Sequence, residues 1–150
     1  MEKIKYYMDL AIEQARKAEA CNEVPIGAIL VDQDGNIKQS AHNLVVTLSD
    51  PTAHAEINVI RMECNSLKNE RLKGYSLYVT LEPCAMCAAA ISSARISTVV
   101  YGASDKKSGG IEIGPKIFTH PQSHHKPEII KGISKETCSK LLKNFFQLRR

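Results

Sequence analysis

Three stretches decide the fold: Ser76-Leu-Tyr-Val-Thr-Leu81, Glu82-Pro-Cys-Ala-Met-Cys-Ala-Ala-Ala-Ile-Ser-Ser-Ala94 and Ser97-Thr-Val-Val-Tyr101. The first and third are short runs rich in β-branched and aromatic residues, which read as strands. Between them Pro83 opens an alanine-rich helix ending near Ala94, with proline where no amide hydrogen is needed. Working outward, Ile26-Gly-Ala-Ile-Leu-Val31 is an apolar run fit for a buried strand, and Asp34-Gly35 turns it into a second strand near Ile37–Ala41. Glu128–Lys131 supplies a fifth. Ile4, Tyr7, Met8, Ala11, Ile12, Ala15 and Ala18 recur at helical spacing, so Lys3 to about Ala20 is expected to be an amphipathic helix. Leu44–Ser49 reads as a loop and Asp50-Pro51-Thr52 as a helix start, with the helix running from about Ala53 to Ser66. A last helix spans Ser134 to about Arg149, with Thr137, Leu141, Phe145 and Leu148 along one face. Ser104–Lys126, rich in glycine and proline, is expected to be an irregular surface loop. Strands alternating with helices argue for an α/β architecture, a sheet with helices on its faces, in one domain spanning 1–150.

Bulk properties set bounds. Hydrophobic residues are 43% of the 150-residue chain and charged residues 24%, as in ordinary globular proteins. No apolar run approaches the roughly 20 residues that span a bilayer, and the charged N-terminus lacks a signal-peptide core, so the chain reads as cytoplasmic. Five cysteines do not form a secreted disulfide framework. Cys21, Cys64 and Cys138 read as small buried apolar residues. A net charge of +4 permits an anionic partner without requiring one.

Two short stretches carry chemistry: His54-Ala55-Glu56 and Pro83-Cys84-Ala85-Met86-Cys87. Cysteines three apart at a helix start present their sulfurs on one face. The positive end of the helix dipole favours thiolate. Zinc binds thiolate and imidazole, and His54 offers a third ligand. No second C-x-x-C supplies a fourth. Three protein ligands and one open position is the catalytic arrangement, in which the metal brings the acidity of water near neutrality. Two thiolates and a neutral imidazole also cancel the charge of Zn²⁺. Glu56 is placed to move protons without being a ligand. This imposes a condition. Within a helix, residues two apart diverge by about 200°, so His54 and Glu56 share a target only if His54 points beyond the helix end. His42, His120, His124 and His125 lack a partner pattern and read as structural or loop residues. Phe145 is expected in the core. Phe146 falls on a stripe with Leu142 and Arg149, read either as further core or dimer seam, or as a stacking platform beside basic side chains.

At these residues the chain resembles the zinc deaminase superfamily with its H-x-E…P-C-x-x-C signature, and more closely the bacterial TadA-type tRNA-specific adenosine deaminases. The matching stretches are Glu23-Val-Pro-Ile-Gly-Ala28, Asp50-Pro-Thr-Ala-His-Ala-Glu-Ile57, Leu77-Tyr-Val-Thr-Leu-Glu-Pro-Cys-Ala-Met-Cys87 and Asn144-Phe-Phe-Gln-Leu-Arg-Arg150, so the likeness covers nearly the whole chain. It implies a cytidine deaminase-like three-layer α/β/α fold with a mixed five-stranded sheet, a homodimer, and conversion of the wobble adenosine of a tRNA anticodon loop to inosine. It implies that His54, Cys84 and Cys87 hold Zn²⁺ and that Glu56 shuttles protons. It further implies substrate contacts at Val24, Asn43, Ala55, Asp105, Lys107, Phe146 and Arg149. Gly109-Gly-Ile-Glu-Ile-Gly-Pro-Lys-Ile-Phe118 departs from the family's usual small-residue run ending in Gly-Ser-Leu, and His124 stands where asparagine is common. Spacing alone does not choose adenine over cytosine. Two alternatives stay open: a deaminase of a free base or nucleotide (guanine, cytosine, dCMP), and a non-catalytic zinc-stabilised RNA-binding module.

Overall fold

The computed structural model describes residues 2–149. In chain order the elements are α1 (Glu2–Ala20), β1 (Gly27–Val31), β2 (Ile37–His42), α2 (Ala55–Leu67), β3 (Ser76–Leu81), α3 (Ala85–Ser93), β4 (Thr98–Ala103), a 3-10 turn (Ile117–Thr119), β5 (Glu128–Lys131) and α4 (Lys135–Leu148). One five-stranded sheet runs in the order β2-β1-β3-β4-β5. β1 is antiparallel to both β2 and β3, whereas β3, β4 and β5 are mutually parallel. The sheet is therefore mixed, as the family resemblance implied. No described helix is long and apolar enough to cross a membrane.

The apolar runs are continuous because both faces of the sheet are covered. Alternate residues of β1, β3 and β4 divide between two cores. Ala28, Leu30, Leu77, Val79, Val99 and Tyr101 join Ala55, Val59, Ala88 and Ile91 of α2 and α3. Ile29, Val31, Tyr78 and Val100 join Tyr7, Met8, Ala11 and Ile12 of α1 and Cys138 of α4. This is the three-layer α/β/α arrangement. The hairpin turn between β1 and β2 is closed by Asp32, whose Oδ1 accepts from the Asp34 and Asn36 amides, and Tyr7 Oη donates to the Gly35 carbonyl at 2.7 Å.

Four expectations need correction. The buried stripe of α4 runs through Cys138 and Phe145, with Leu141 partly buried; Thr137 and Leu148 are exposed. The 104–126 segment is not merely a surface loop, since Ile111 and Phe118 reach the α2–α3 core. Cys21 is exposed, while Cys138 is buried and Cys64 partly so. α2 begins at Ala55, not Ala53. Asp50 does not cap it: Asp50 Oδ1 accepts from the Thr52 amide and hydroxyl, closing a local turn with Pro51 inside it.

α1 lies so close on β1 that a Cβ at Gly27 would sit 2.0 Å from the Ala11 carbonyl oxygen and 2.5 Å from the Ala15 nitrogen. Both neighbours are backbone of a buried helix and cannot swing aside. Gly27→Ala is expected to lower stability by about 3 kcal/mol or more, read by urea denaturation; an unchanged midpoint would show that the α1–β1 contact is looser than described.

Candidate active site

The late start of α2 makes His54 its N-cap residue. His54 has extended backbone (φ −67°, ψ 155°) and its side chain caps nothing within the helix. It therefore points past the helix end, which is the condition the sequence reading imposed. α3 repeats the device: Cys84 is its N-cap (φ −72°, ψ 175°), so Pro83 lies before the helix rather than inside it. An N-cap side chain naturally lies near the third helical residue, and in α3 that residue is Cys87.

The two caps meet. His54 Nδ1 lies 3.7 Å from Cys84 Sγ and 3.4 Å from Cys87 Sγ. Among the described residues these three form the one group of three or more metal-ligating side chains whose donor atoms converge, all within 4.8 Å of one another. A tetrahedral zinc with ordinary bond lengths would separate imidazole nitrogen from thiolate sulfur by about 3.6 Å. The observed spacings bracket that value, and the nitrogen and two sulfurs are the donors zinc prefers. His54 and Cys84 are half-buried and Cys87 is buried, so one side stays open.

The electrostatics fit a cation here. The Cys87 thiol, hydrogen-bonded to Cys84, holds Cys84 down to about 4, and the same contact pushes Cys87 well up. Without a metal the two sulfurs thus share one proton. The hydrogen bond with Cys84 raises His54 against the effect of burial. Glu56, the second residue of α2, is 4% exposed. Burial pushes its carboxyl up to about 7, opposed by its own backbone amide and by His54. A carboxyl of that acidity can both take and return a proton near neutral pH.

A cavity of about 730 Å³ is lined by Val24, Asp105, Lys107, Phe146 and Arg149, together with Ile26, Leu81, Ser108 and Leu142. Five of the seven expected substrate contacts thus share one concavity, of a size ordinary for small-molecule sites. Leu81 ends β3 three residues before Cys84, and the Ile26 carbonyl accepts the Asn43 amide at 3.1 Å. Neither the metal ligands nor Glu56 lines this cavity. Asn43 is buried, and its Oδ1 accepts from Val45 N. Ala55 is fully buried in the α2–α3 core, backbone and side chain alike, and does not line the cavity. Phe146 is 48% exposed whereas Phe145 is buried, which removes the further-core reading of Phe146. Arg149 lies over the Phe145 ring at 3.6 Å and donates to Asn22 Oδ1 and the Phe145 carbonyl, bracing the end of α4. A guanidinium has five donors, so others remain for the cavity. His120 and His124 border a separate cavity of about 470 Å³ beside Ser92 and Arg95.

Three buried glutamates escaped the sequence reading, Glu23, Glu63 and Glu82; Glu63 accepts from Gln39 Nε2 and Tyr75 Oη and does not line the cavity. Glu23 Oε1 accepts from Val46 N, and Oε2 from Thr47 N and Oγ1. Burial works upward, but the Thr47 and Val46 bonds win and hold it below its ordinary value. It fastens the loop after β2 beside Val24. Its partners are backbone amides far along the chain, and no spacing announces them.

The metal site is open to a direct check. The protein is expected to hold about one zinc per chain and Cys87→Ser to lose tight binding, measured by elemental analysis after dialysis; full zinc content in the variant would remove Cys87 from the ligand set.

Residues 1–103 match the family model for the cytidine and deoxycytidylate deaminase zinc-binding region. The tRNA-specific adenosine deaminase of Agrobacterium fabrum is 49% identical, covering 97% of this chain and 95% of that protein. That of Bacillus subtilis is 43% identical, covering 98% and 91%. A solved structure from work on A-to-I editing by tRNA:A34 deaminases at the wobble position superposes with a TM-score of 0.89 at 50% identity, covering 91% of this chain and 99% of that one. The chain belongs to the zinc-dependent cytidine and deoxycytidylate deaminase family, among its tRNA-specific adenosine deaminases.

Proposed function

We propose that the chain hydrolyses the wobble adenosine of a tRNA anticodon to inosine, with water consumed and ammonia released. The observation that carries the reading is a site of two cysteines and one histidine beside a buried carboxyl, with a cavity edged by Lys107, Arg149 and Phe146 elsewhere on the chain, in a chain 49% identical over nearly its whole length to a tRNA-specific adenosine deaminase. His54, Cys84 and Cys87 would hold the zinc. When bound, zinc acts as a Lewis acid that makes water a stronger acid and nucleophile near pH 7.

Glu56 handles the protons. Its carboxylate accepts one from the attacking water and delivers it to the ring nitrogen beside C6, so the ring can take up the negative charge that arrives with oxygen at C6. Glu56 then takes the proton of the new C6 hydroxyl and passes it to the amine; the C–N bond breaks with its electron pair on nitrogen, the oxygen becomes the C6 carbonyl of inosine, and ammonia leaves. Asn43 would hydrogen-bond the nucleotide, and Val24 would pack on the base. Lys107 and Arg149 would meet phosphates, and Phe146 would stack on a flanking base. Taking an anticodon base out of its stack costs a few kcal/mol, less in a loop than in a duplex. A free base would engage the chemistry of Glu56 but none of these outer contacts, which disfavours the free-base alternative. The non-catalytic alternative leaves unexplained why a carboxyl is buried beside the three ligands.

We further propose that the whole chain acts as one deaminase domain, that it works as a homodimer and that it resides in the cytoplasm. Val46, Leu48, Met62 and Met86 are exposed apolar side chains. Arg61, next to Met62 in α2, contacts Asp50 and Thr52 in the segment that follows Leu48, and the exposed apolar side chains of these two segments support a seam there.

Glu56→Ala is expected to keep fold and zinc while inosine formation falls by about 10²–10⁴-fold, read by nucleoside mass spectrometry of treated tRNA. Undiminished inosine would take Glu56 out of the mechanism, and ammonia from free guanine with untouched tRNA would overturn the substrate.

RNA binding is expected to weaken as salt rises, because phosphate contacts release counterions. Phe146→Ala should cost about 1–3 kcal/mol of RNA affinity without loss of stability. Phe145→Ala should instead cost about 3–5 kcal/mol of stability. Equal effects of the two substitutions on melting temperature would refute the division of labour between the adjacent rings.

A further inference from the structure

We propose that Glu82 is a positioning residue: its two carboxylate oxygens separately hold the Asp105–Ser108 wall of the substrate cavity and, through the 111–113 amides, the loop whose Gly109 and Gly110 lie against the metal-holding end of α3. The inference rests on the deaminase reading above for the identity of the substrate.

Glu82 is 2% exposed, and among the described residues it has no cationic partner. It is satisfied instead by backbone N–H groups. Oε1 accepts from Asp105 N at 3.0 Å. Oε2 accepts from Ile111 N at 3.1 Å, Glu112 N at 3.0 Å and Ile113 N at 3.4 Å. These donors are 23 to 31 residues away along the chain, so this one side chain gathers a long loop onto the end of β3.

Each oxygen serves a different wall. On the Oε1 side, the Asp105 carboxylate accepts in turn from the Lys107 and Ser108 amides. That turn carries Asp105, Lys107 and Ser108 into the lining of the cavity. On the Oε2 side the loop runs hard against the start of α3. Cys84 pairs with Gly109 in an isolated antiparallel bridge, and the Gly110 amide donates to the Pro83 carbonyl at 2.9 Å. A Cβ at Gly109 would lie 2.5 Å from Glu82 Oε2, and one at Gly110 would lie 2.6 Å from the Ala85 nitrogen. The two glycines permit the approach and Glu82 holds it. Glu56 and Glu82 therefore have separate tasks: one moves protons, and the other sets where the RNA-facing wall stands relative to the metal ligands.

Glu82→Gln, in the full-length zinc-loaded protein, separates the two sides. An amide keeps one acceptor oxygen. Turned toward the three-donor side, it leaves its NH₂ facing the Asp105 N–H, donor against donor. The KM for an anticodon stem-loop bearing the wobble adenosine is expected to rise about tenfold, with kcat within about twofold and zinc per chain unchanged. A KM that moves less than kcat, or a loss of zinc, would overturn the proposal, because the carboxylate would then serve the metal end alone. Amide hydrogen exchange of the wild-type protein without RNA gives a test independent of that variant's folding and of the substrate. The Asp105, Ile111 and Glu112 amides should exchange slowly. Rapid exchange at all three overturns the role of Glu82 even if the protein makes inosine; slow exchange in a protein that makes none supports the role while refuting the RNA substrate.

Discussion

The structure depends on two helix N-termini arriving at one point. β1 is antiparallel to β2 and to β3, so β2 and β3 run in the same direction with one strand between them. The helices that follow them, α2 and α3, pack on the same face and start from the same end of the sheet. Two strand spacings amount to about 9.6 Å, which is also an ordinary distance between packed helix axes. The sheet thus sets α2 and α3 side by side at contact distance. Each helix then gives its N-cap side chain to the space between them: His54 from one and Cys84 from the other. If either helix began a residue earlier, its cap side chain would be wound into the helix and the convergence lost.

That geometry has an electrostatic cost. Two thiols, an imidazole and a buried carboxyl occupy one pocket, and their acidities are interlocked: Cys84 is driven down and Cys87 up by a single shared hydrogen bond, and Glu56 is driven up by burial. Without a cation Cys84 and His54 favour each other's charged forms, while Cys87 and Glu56 are pushed toward their neutral ones. A divalent ion would let both sulfurs ionise and would draw Glu56 toward its charged form. Helix dipoles at both caps act in the same direction, since each presents its positive end to the site. The site is thus built to be completed by a metal, and the metal's binding energy counts toward the stability of the α2–α3 pair.

The local parts of this arrangement were legible in the sequence. β3 and β5 fall where predicted, and β1, β2 and β4 within two residues; β1, β3 and β4 are legible because burial on both faces leaves continuous apolar runs, and β2 because the Asp34-Gly35 turn places it. The ligands were legible because zinc chemistry restricts residue types and spacing. The start of α2 was not. Asp50-Pro51-Thr52 satisfies the composition of a helix start, and only the closure of Asp50 onto Thr52 reveals a turn instead. The error was informative, since the displaced start is what frees His54. Glu23 and Glu82 were invisible for a different reason. A carboxylate that binds amides of a distant loop looks, in sequence, like any surface glutamate, and the amides carry no residue identity at all.

The cavity shows why chemistry and specificity are read with unequal ease. Its walls come from the β1 approach at Val24 and Ile26, the end of β3, the loop after β4, and α4, four parts of the chain with no common spacing. The metal site comes from two short motifs. The motifs and the walls can therefore vary separately, and the Gly109–Phe118 segment begins directly after the wall residue Ser108 without itself lining the cavity. Its Glu112 takes hydrogen bonds from Tyr101 and Ser104 and pairs with Lys131 at 2.8 Å, tying the altered loop to β4 and β5. The sequence change therefore arrives with its own fastening, and the neighbouring glycines still admit the loop to the start of α3. The loop is thus held in two ways: through backbone amides and a glycine pair at its start, and through its own side chains, Glu112 on β4 and β5 and Ile111 and Phe118 in the α2–α3 core.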